Sequence, residues 1–343
     1  MIKTIQLKDA VGTKLAHDIT EIRPGEFKGA AFNKGHTVCN EDLCRLQKLG
    51  KNHLYLIDLE ADEIHENEAA AIMAGALAGK GVTWKNEPRE GKIGLKAERD
   101  GLLTVDTAAL AAFNMIEEVM CATLHNNTLV KAGELVAATR AIPLVMKRAP
   151  VERAAAIAGQ NGGVVSVRNL RPAKVGLIIT GNEVFHGLIE DRFAPILAEK
   201  ITALGSRVAG IEFAPDDANI ISRTIRNHLD RGCDLLLLSG GMSVDPDDVT
   251  RHGIRLAGAD EFNYGAAVLP GAMFLLAYLG KVPLLGIPAC GLHHRITVLD
   301  LVLPRILAGE RIGKAQLAFL GYGGLCKDCP ECIYPNCPFG KGI

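Results

Sequence analysis

The sequence predicts an α/β protein, a mainly parallel sheet with helices on both faces, preceded by a smaller N-terminal region that is α+β or β-rich. Three observations carry that expectation. The runs Lys174–Thr180, Asp234–Leu238 and Val282–Ile287 are apolar almost throughout rather than alternating, as strands covered on both faces are. Helical patterns over Asp191–Leu204, Ala218–Leu229 and Val249–Leu256 alternate with strand-like ones, which is the order of a parallel layer. Upstream of Pro172 the texture differs. Short runs there are broken by Pro24-Gly25, Lys34-Gly35 and Asp100-Gly101, dipeptides of tight turns.

At 343 residues the chain is too long for one ordinary domain. Four segments are expected: a small mixed unit at 1–58, a β-rich or α+β region at 59–172, the α/β domain at 173–312, and a Cys-rich tail at 313–343. Within the first unit the run Leu54–Ile57 reads as strand. Glu60–Glu68 is acidic and expected to be exposed, and Asn67–Ala78 is an alanine-rich helix stopped by Gly79 and Gly81. Gly91–Ala97 and Leu135–Val145 read as strands, with a helix over Val105–Val119 between them. In the α/β domain, Arg207–Phe213 is a further strand and His293–Leu307 the last helix.

Composition limits the partners. Hydrophobic residues at 48% and charged residues at 22% suit a soluble globular chain. A net charge of −1 provides no global basic field for nucleic acid or an anionic membrane. The first residues are too few and too charged for a secretory segment. The uncharged run Phe262–Gly280 is long enough to span a bilayer, but Gly265, Pro270 and Gly271 interrupt it, and turns are expected instead. A cytoplasmic location follows, with neither nucleic acid nor membrane as partner. Of the nine cysteines, Cys39, Cys44, Cys121, Cys233 and Cys290 are scattered, whereas Cys326, Cys329, Cys332 and Cys337 cluster. In a cytoplasmic chain such a cluster points to metal rather than disulfides.

In open α/β sheets ligands bind outside the carboxyl ends of the strands. Four stretches fall there: Thr180-Gly181-Asn182-Glu183, Pro215-Asp216-Asp217, Ser239 through Asp248, and Pro288-Ala289-Cys290-Gly291. Gly240 and Gly241 let backbone N–H groups approach a ligand, and Ser239 and Ser243 add hydroxyls. A following helix offers its positive end to a phosphate. Glu183, Asp216, Asp217, Asp245, Asp247 and Asp248 supply hard oxygens suited to Mg²⁺ bridged to substrate phosphates. Each residue also suits a plain strand–turn–helix junction with capping acids. Neither G-x-x-x-x-G-K-[ST] nor G-x-G-x-x-G is present, which removes the support for an ordinary nucleotide-binding protein.

These motifs resemble, in order, those of the molybdopterin-binding domain shared by molybdopterin molybdotransferase, gephyrin and molybdopterin adenylyltransferase. The molybdotransferase pattern T-G-D-E-L, a D-D pair, S-G-G-V-S-V-G-D-Y-D, K-P-G-K-P and G-L-P-G-N-P corresponds to Thr180–Val184, Asp216-Asp217, Ser239–Val244 with Asp248, Leu269–Met273 and Gly286–Cys290. The resemblance implies pterin and phosphate contacts at Thr180, Gly181, Asn182, Ser239, Gly240, Gly241, Ser243 and Pro288. It implies metal or catalytic duty at Glu183, Asp217 and Asp248. The implied ligands are molybdopterin or adenylylated molybdopterin with molybdate, and the implied chemistry is Mg²⁺-dependent adenylate hydrolysis and molybdate insertion. Departures bear on that chemistry: Asn182 and Pro246 stand where the family has acids, the Leu269–Met273 loop lacks the family's lysines, and Cys290 replaces an asparagine. Cys290 is read either as a soft ligand beside the metal or as a small buried hydrophobe. Gly12–Ile19 is similar to the family's opening G-x-x-L-A-x-D-I.

The tail spacing C-x2-C-x2-C-x4-C-P is similar to a ferredoxin pattern with one residue added. Iron–sulfur and zinc both suit four thiolates, and the spacing leans to iron–sulfur. Two functions remain open: an enzyme that completes molybdenum cofactor, and a carrier, maturation factor or sensor that hands cofactor to an apo-molybdoenzyme. Self-association into a homo-oligomer is left open.

Overall fold

The apolar run Lys174–Thr180 forms the strand expected of it, β1, and Val175 through Thr180 are all buried. A single helical turn, Asn182–Phe185, leads to helix α1 (Phe193–Ala203) and strand β2 (Arg207–Ala214). Helix α2 (Ala218–Asp230), strand β3 (Leu235–Ser239) and helix α3 (Thr250–Leu256) follow. Strands β4 (Glu261–Tyr264), β5 (Leu275–Leu279) and β6 (Val282–Ile287) precede helix α4 (Val298–Leu307) and helix α5 (Lys314–Phe319). The structure is a computed structural model and describes residues 2–85, 87–243, 245–246 and 248–342. The chain divides into two compact units, Met1–Leu124 with Val130–Val167, and His125–Leu129 with Arg168–Ile343.

The six strands of the second unit lie in the order β2-β1-β3-β6-β5-β4. β2, β1, β3 and β6 are parallel, and β5 and β4 complete the sheet antiparallel. The uncharged run Phe262–Gly280, expected as turns, therefore supplies most of two paired strands. Among the described residues no helix is long and apolar enough to cross a membrane. Helices cover both faces. Leu177, Leu237 and Leu285 pack with α1 and α4, whereas Ile178, Leu238 and Leu284 pack with α2 and α3. Double coverage is why these strands carry no polar alternation. The edge strand β2 has one covered flank and does alternate in exposure. The chain leaves β1 toward β2 on one side and reaches β3 on the other, so a topological switch point lies between the carboxyl ends of β1 and β3.

Helix α4, expected over His293–Leu307, starts five residues later than the sequence suggests. Thr297 accepts from the Leu299 N–H and the Thr297 N–H donates to Asp300, a cap that fixes the start at Val298. The Cys-rich tail is part of this unit. Leu317, Leu320 and Phe339 lie in the same core as β1 and β3, and a buried phenylalanine contributes about 1.5–3 kcal/mol.

The first unit has two apolar cores, one around Leu15, Ile19 and Leu46 and one around Met73, Leu95 and Phe113. Helix Glu66–Leu77 matches its predicted place. The helix expected over Val105–Val119 is shorter, Thr107–Asn114, capped by Asp106. Val119–Thr123 is instead a strand paired with Leu135–Ala141, because the Asn114 amide bonds both backbone groups of Cys121 and turns the chain back. The expected strand Leu135–Val145 is split, and Val145–Lys147 pairs with Glu63–His65. The acidic segment before the helix is accordingly not exposed throughout: Ile64, His65 and Glu66 are buried. Helix Arg148–Gly159 has no counterpart among the sequence expectations.

Candidate functional site

The carboxyl ends of β1 and β3 open into a cleft of about 1170 Å³, in the crevice where the switch point predicts a ligand. Four of the five motif loops border it. Thr180 and Glu183 come from the end of β1, Gly240 through Ser243 from the end of β3, Leu269 through Met273 from the loop before β5, and Pro288 through Cys290 from the end of β6. Asp245 and Asp248 line it as well. Asp247 lies outside the described residues.

The two adjacent glycines have a packing reason. Both have positive φ, +85° at Gly240 and +58° at Gly241. A Cβ at Gly240 would lie 2.3 Å from the Thr180 carbonyl oxygen, and one at Gly241 would lie 2.3 Å from Thr250 Oγ1. Only glycine lets the β3 loop close over the end of β1. The Thr180 hydroxyl donates to the Ser239 carbonyl at 2.8 Å, so Thr250, 2.8 Å away, donates to Thr180. Thr180 therefore borders the cleft with its hydroxyl proton already committed to the backbone.

Other predicted residues have structural occupations. Asp217 does not line the cleft. It caps α2, accepting from the N–H groups of Asn219 and Ile220 at 2.8 and 3.0 Å. Asn182 is also outside the lining. Its N–H donates to Asp216 at 2.9 Å and its side-chain oxygen accepts from the Asp216 N–H at 3.1 Å, which ties the first two motifs together. Gly181, at φ +139°, shapes the turn into Glu183. Ser239 is fully buried and its Oγ has no hydrogen-bond partner among the described residues. It sits in register between Ile179 and Ile287, and Ile179 lines the cleft. Ser239 itself does not line the cleft.

The cleft carries mostly negative charge. Glu183, Glu190, Asp191, Asp245, Asp248 and Asp328 line it, with Arg192 as a guanidinium on the same wall. Sequence reading missed the Glu190–Arg192 stretch. The signal was the charged triplet between the first motif and α1, where Asp191 caps α1 by accepting from the N–H groups of Phe193 and Ala194. The Asp245–Asp248 turn is held by reciprocal bonds, Asp245 N–H to the Asp248 carboxylate and Asp248 N–H to the Asp245 carbonyl. Beneath the loop, Tyr264 donates to the Met242 carbonyl at 2.6 Å, and Arg251 stacks on Tyr264 while donating to the Ser243 carbonyl. Burial pushes the Cys290 thiol up.

Among the described residues no three His, Cys, Asp or Glu side chains converge on a point able to hold a metal ion. This applies to the acids of the cleft and to Cys326, Cys329, Cys332 and Cys337. The cysteines instead line a second cavity of about 320 Å³. For Mg²⁺ the donor set still fits, because that ion is held by one or two carboxylates together with waters and substrate phosphates.

Comparison with known proteins agrees with the geometry. Residues 176–308 match the model of a family described as a probable molybdopterin binding domain. Residues 4–58 match a domain of unknown function, DUF8806. A CinA-like protein of Mycobacterium tuberculosis is 36% identical over 78 residues, 23% of this chain and 18% of that protein. A protein of Archaeoglobus fulgidus is 38% identical over 81 residues, 24% of this chain and 35% of that one. The matched stretch thus spans under a fifth of the CinA-like relatives. Among solved structures, the molybdopterin biosynthesis enzyme MoaB of Thermus thermophilus is 22% identical, covering 40% of this chain and 98% of that one at a TM-score of 0.34. The tungsten cofactor synthesizing protein MoaB of Pyrococcus furiosus is 17% identical, covering 41% and 98% at a TM-score of 0.33.

Proposed function

We propose, on the premise that residues 176–308 are similar to molybdopterin-binding domains, that the chain binds molybdopterin or its adenylate in the cleft and promotes molybdate insertion with a divalent cation. The observation that supports this reading most is the meeting of four motif loops around one cleft at the switch point of the sheet. Its volume suits a pterin with a phosphate tail. Its wall of carboxylates would repel a bare phosphate, so an anionic ligand calls for a cation between the two. Bound Mg²⁺ would neutralise the phosphates against Glu183 and Asp248 and so favour adenylate release. Arg192 would meet a ligand anion directly, and Ser243 and the backbone of Gly240 and Gly241 would orient it. Molybdate is the second substrate, and an apo-molybdoenzyme the recipient of the product.

The reciprocal Asn182–Asp216 pair supports the second reading, a carrier or maturation factor. An amide occupies the place of a family acid and is engaged in holding loops together. One anaerobic assay separates the readings: the full chain with adenylylated molybdopterin, Mg²⁺ and molybdate, monitored for AMP and bound molybdenum. The enzyme reading expects AMP release that stops on chelation. Retained pterin without AMP selects the carrier. Absence of pterin binding overturns both.

A further inference from the structure

The tail at 313–343 packs too closely to be an appendage. A Cβ at Gly324 would lie 2.4 Å from the carbonyl oxygens of Ala267 and Leu320, and one at Gly340 would lie 2.3 Å from Leu301. The Leu269 N–H donates to the Gly324 carbonyl and the Cys326 N–H to the Leu269 carbonyl, each at 2.8 Å. This pairing lays the first tail cysteine alongside a loop of the cleft.

All four tail cysteines line the 320 Å³ cavity, without three of them converging on one point. Four thiols around one cavity suit either a zinc ion or a cluster, and the ferredoxin-like spacing with Pro338 after the last cysteine favours the cluster. A cluster fills the space between its thiolates with its own iron and sulfide. The local backbone suits that role. Asp328 has φ +51° and its N–H donates to Cys326 Sγ at 3.5 Å, the kind of N–H···S bond that steadies a ligating sulfur. Lys327 lines the cavity together with the four thiols.

We propose that Cys326, Cys329, Cys332 and Cys337 hold an iron–sulfur cluster in this cavity, and that the cluster is built into one wall of the cleft. His294, Leu325, Cys326 and Asp328 line both cavities, and His294 Nδ1 lies 3.8 Å from Asp328 Oδ1. Loading takes two ferrous ions, two ferric ions and four sulfides, and releases the four thiol protons, so that no further oxidant or reductant is needed. Because the wall is shared, loading the tail and filling the cleft are linked, and the linkage is reciprocal. The linkage rests on the pterin reading of the cleft, and the cluster does not.

The test uses the full-length chain, purified anaerobically and reconstituted with equal amounts of ferrous and ferric iron and with sulfide. Iron and acid-labile sulfide are expected in equal amounts, about four of each per chain, with visible absorption bleached by dithionite. The double variant C329S/C332S should lose at least tenfold of the iron. These two thiols, unlike Cys326 and Cys337, are not packed against the core, so the fold is expected to persist, as checked by circular dichroism. C44S, an exposed thiol of the first unit, should keep its iron. Zinc without sulfide, or no bound metal, overturns the cluster. In a second arm, molybdopterin released anaerobically from a molybdoenzyme is dialysed against loaded and apo protein. A change in Kd of about fivefold or more is expected, and equal values overturn the shared wall. If neither form binds the pterin while iron is retained, the cleft reading and the linkage fail and the cluster stands.

Discussion

The two neighbouring cavities of the α/β unit share a wall but present different chemistry. The cleft faces inward with carboxylates from the strand-end loops, including Glu183, Asp245 and Asp248. The tail cavity faces inward with four thiols. Hard oxygens select Mg²⁺ and soft sulfurs select iron–sulfur or zinc, so each cavity should ignore the metal of the other. The loops around them also differ in how they are held. Gly240 and Gly241 are pinned from beneath by Thr180 and Thr250, whereas the tail is threaded over the core by Leu320 and Phe339. The loops of the two cavities are therefore held by different contacts, so a change in one can be tested for its effect on the other, with tail iron as the readout of the proposed linkage.

The largest effect is expected from Gly240→Ala. Its Cβ meets backbone and its φ is left-handed, so a loss of about 2–4 kcal/mol in stability is expected, together with loss of pterin binding. Chemical denaturation and dialysis measure these, and the effect of pterin on tail iron seen in the unaltered chain should disappear in this variant, its persistence breaking the proposed linkage. Glu183→Gln comes next. It should lower Mg²⁺-dependent AMP release by about 100-fold while iron content is unchanged, and full activity would remove Glu183 from the chemistry. Thr250→Val should cost about 1–2 kcal/mol, because the donation to Thr180 is lost inside the core. A change within error would mean that a water takes the place of the hydroxyl.

The smallest expected effect concerns His228, packed under Gly176 and Gly210 toward the other end of β1 from the cleft. Burial, reinforced by Arg231 and opposed by Glu212, holds its pKa below the ordinary 6.5. The unfolded chain then takes up a proton that the folded chain refuses. Its stabilising contribution is complete above about pH 6.5 and is lost as pH falls below that value. His17 and His65 of the first unit shift in the same direction. The urea midpoint should be lower at pH 5.5 than at pH 7.5, and less so in His228→Gln. An equal pH dependence in that variant would refute the assignment.

The sequence by itself determined the parallel core and the loops that matter. β1 and β6 match their predicted runs end to end, because a strand buried on both faces leaves no room for polar residues. The order of the strand-end motifs also anticipated which loops border the cleft, since parallel strands bring their carboxyl ends to one edge. What it left undecided depends on contacts between distant segments. Asp217 reads as a metal ligand, and only the structure shows that it also caps α2 through the N–H groups of Asn219 and Ile220. Asn182 reads as a weakened metal residue until Asp216, 34 positions away, is found holding it. The run Phe262–Gly280 resolves into strands through its pairing, β4 with β5 and β5 with β6. That four cysteines at the chain end share His294, Leu325, Cys326 and Asp328 with the cleft was likewise decided by tertiary packing. Spacing along a chain fixes which residues can act together, and packing alone decides what stands between them.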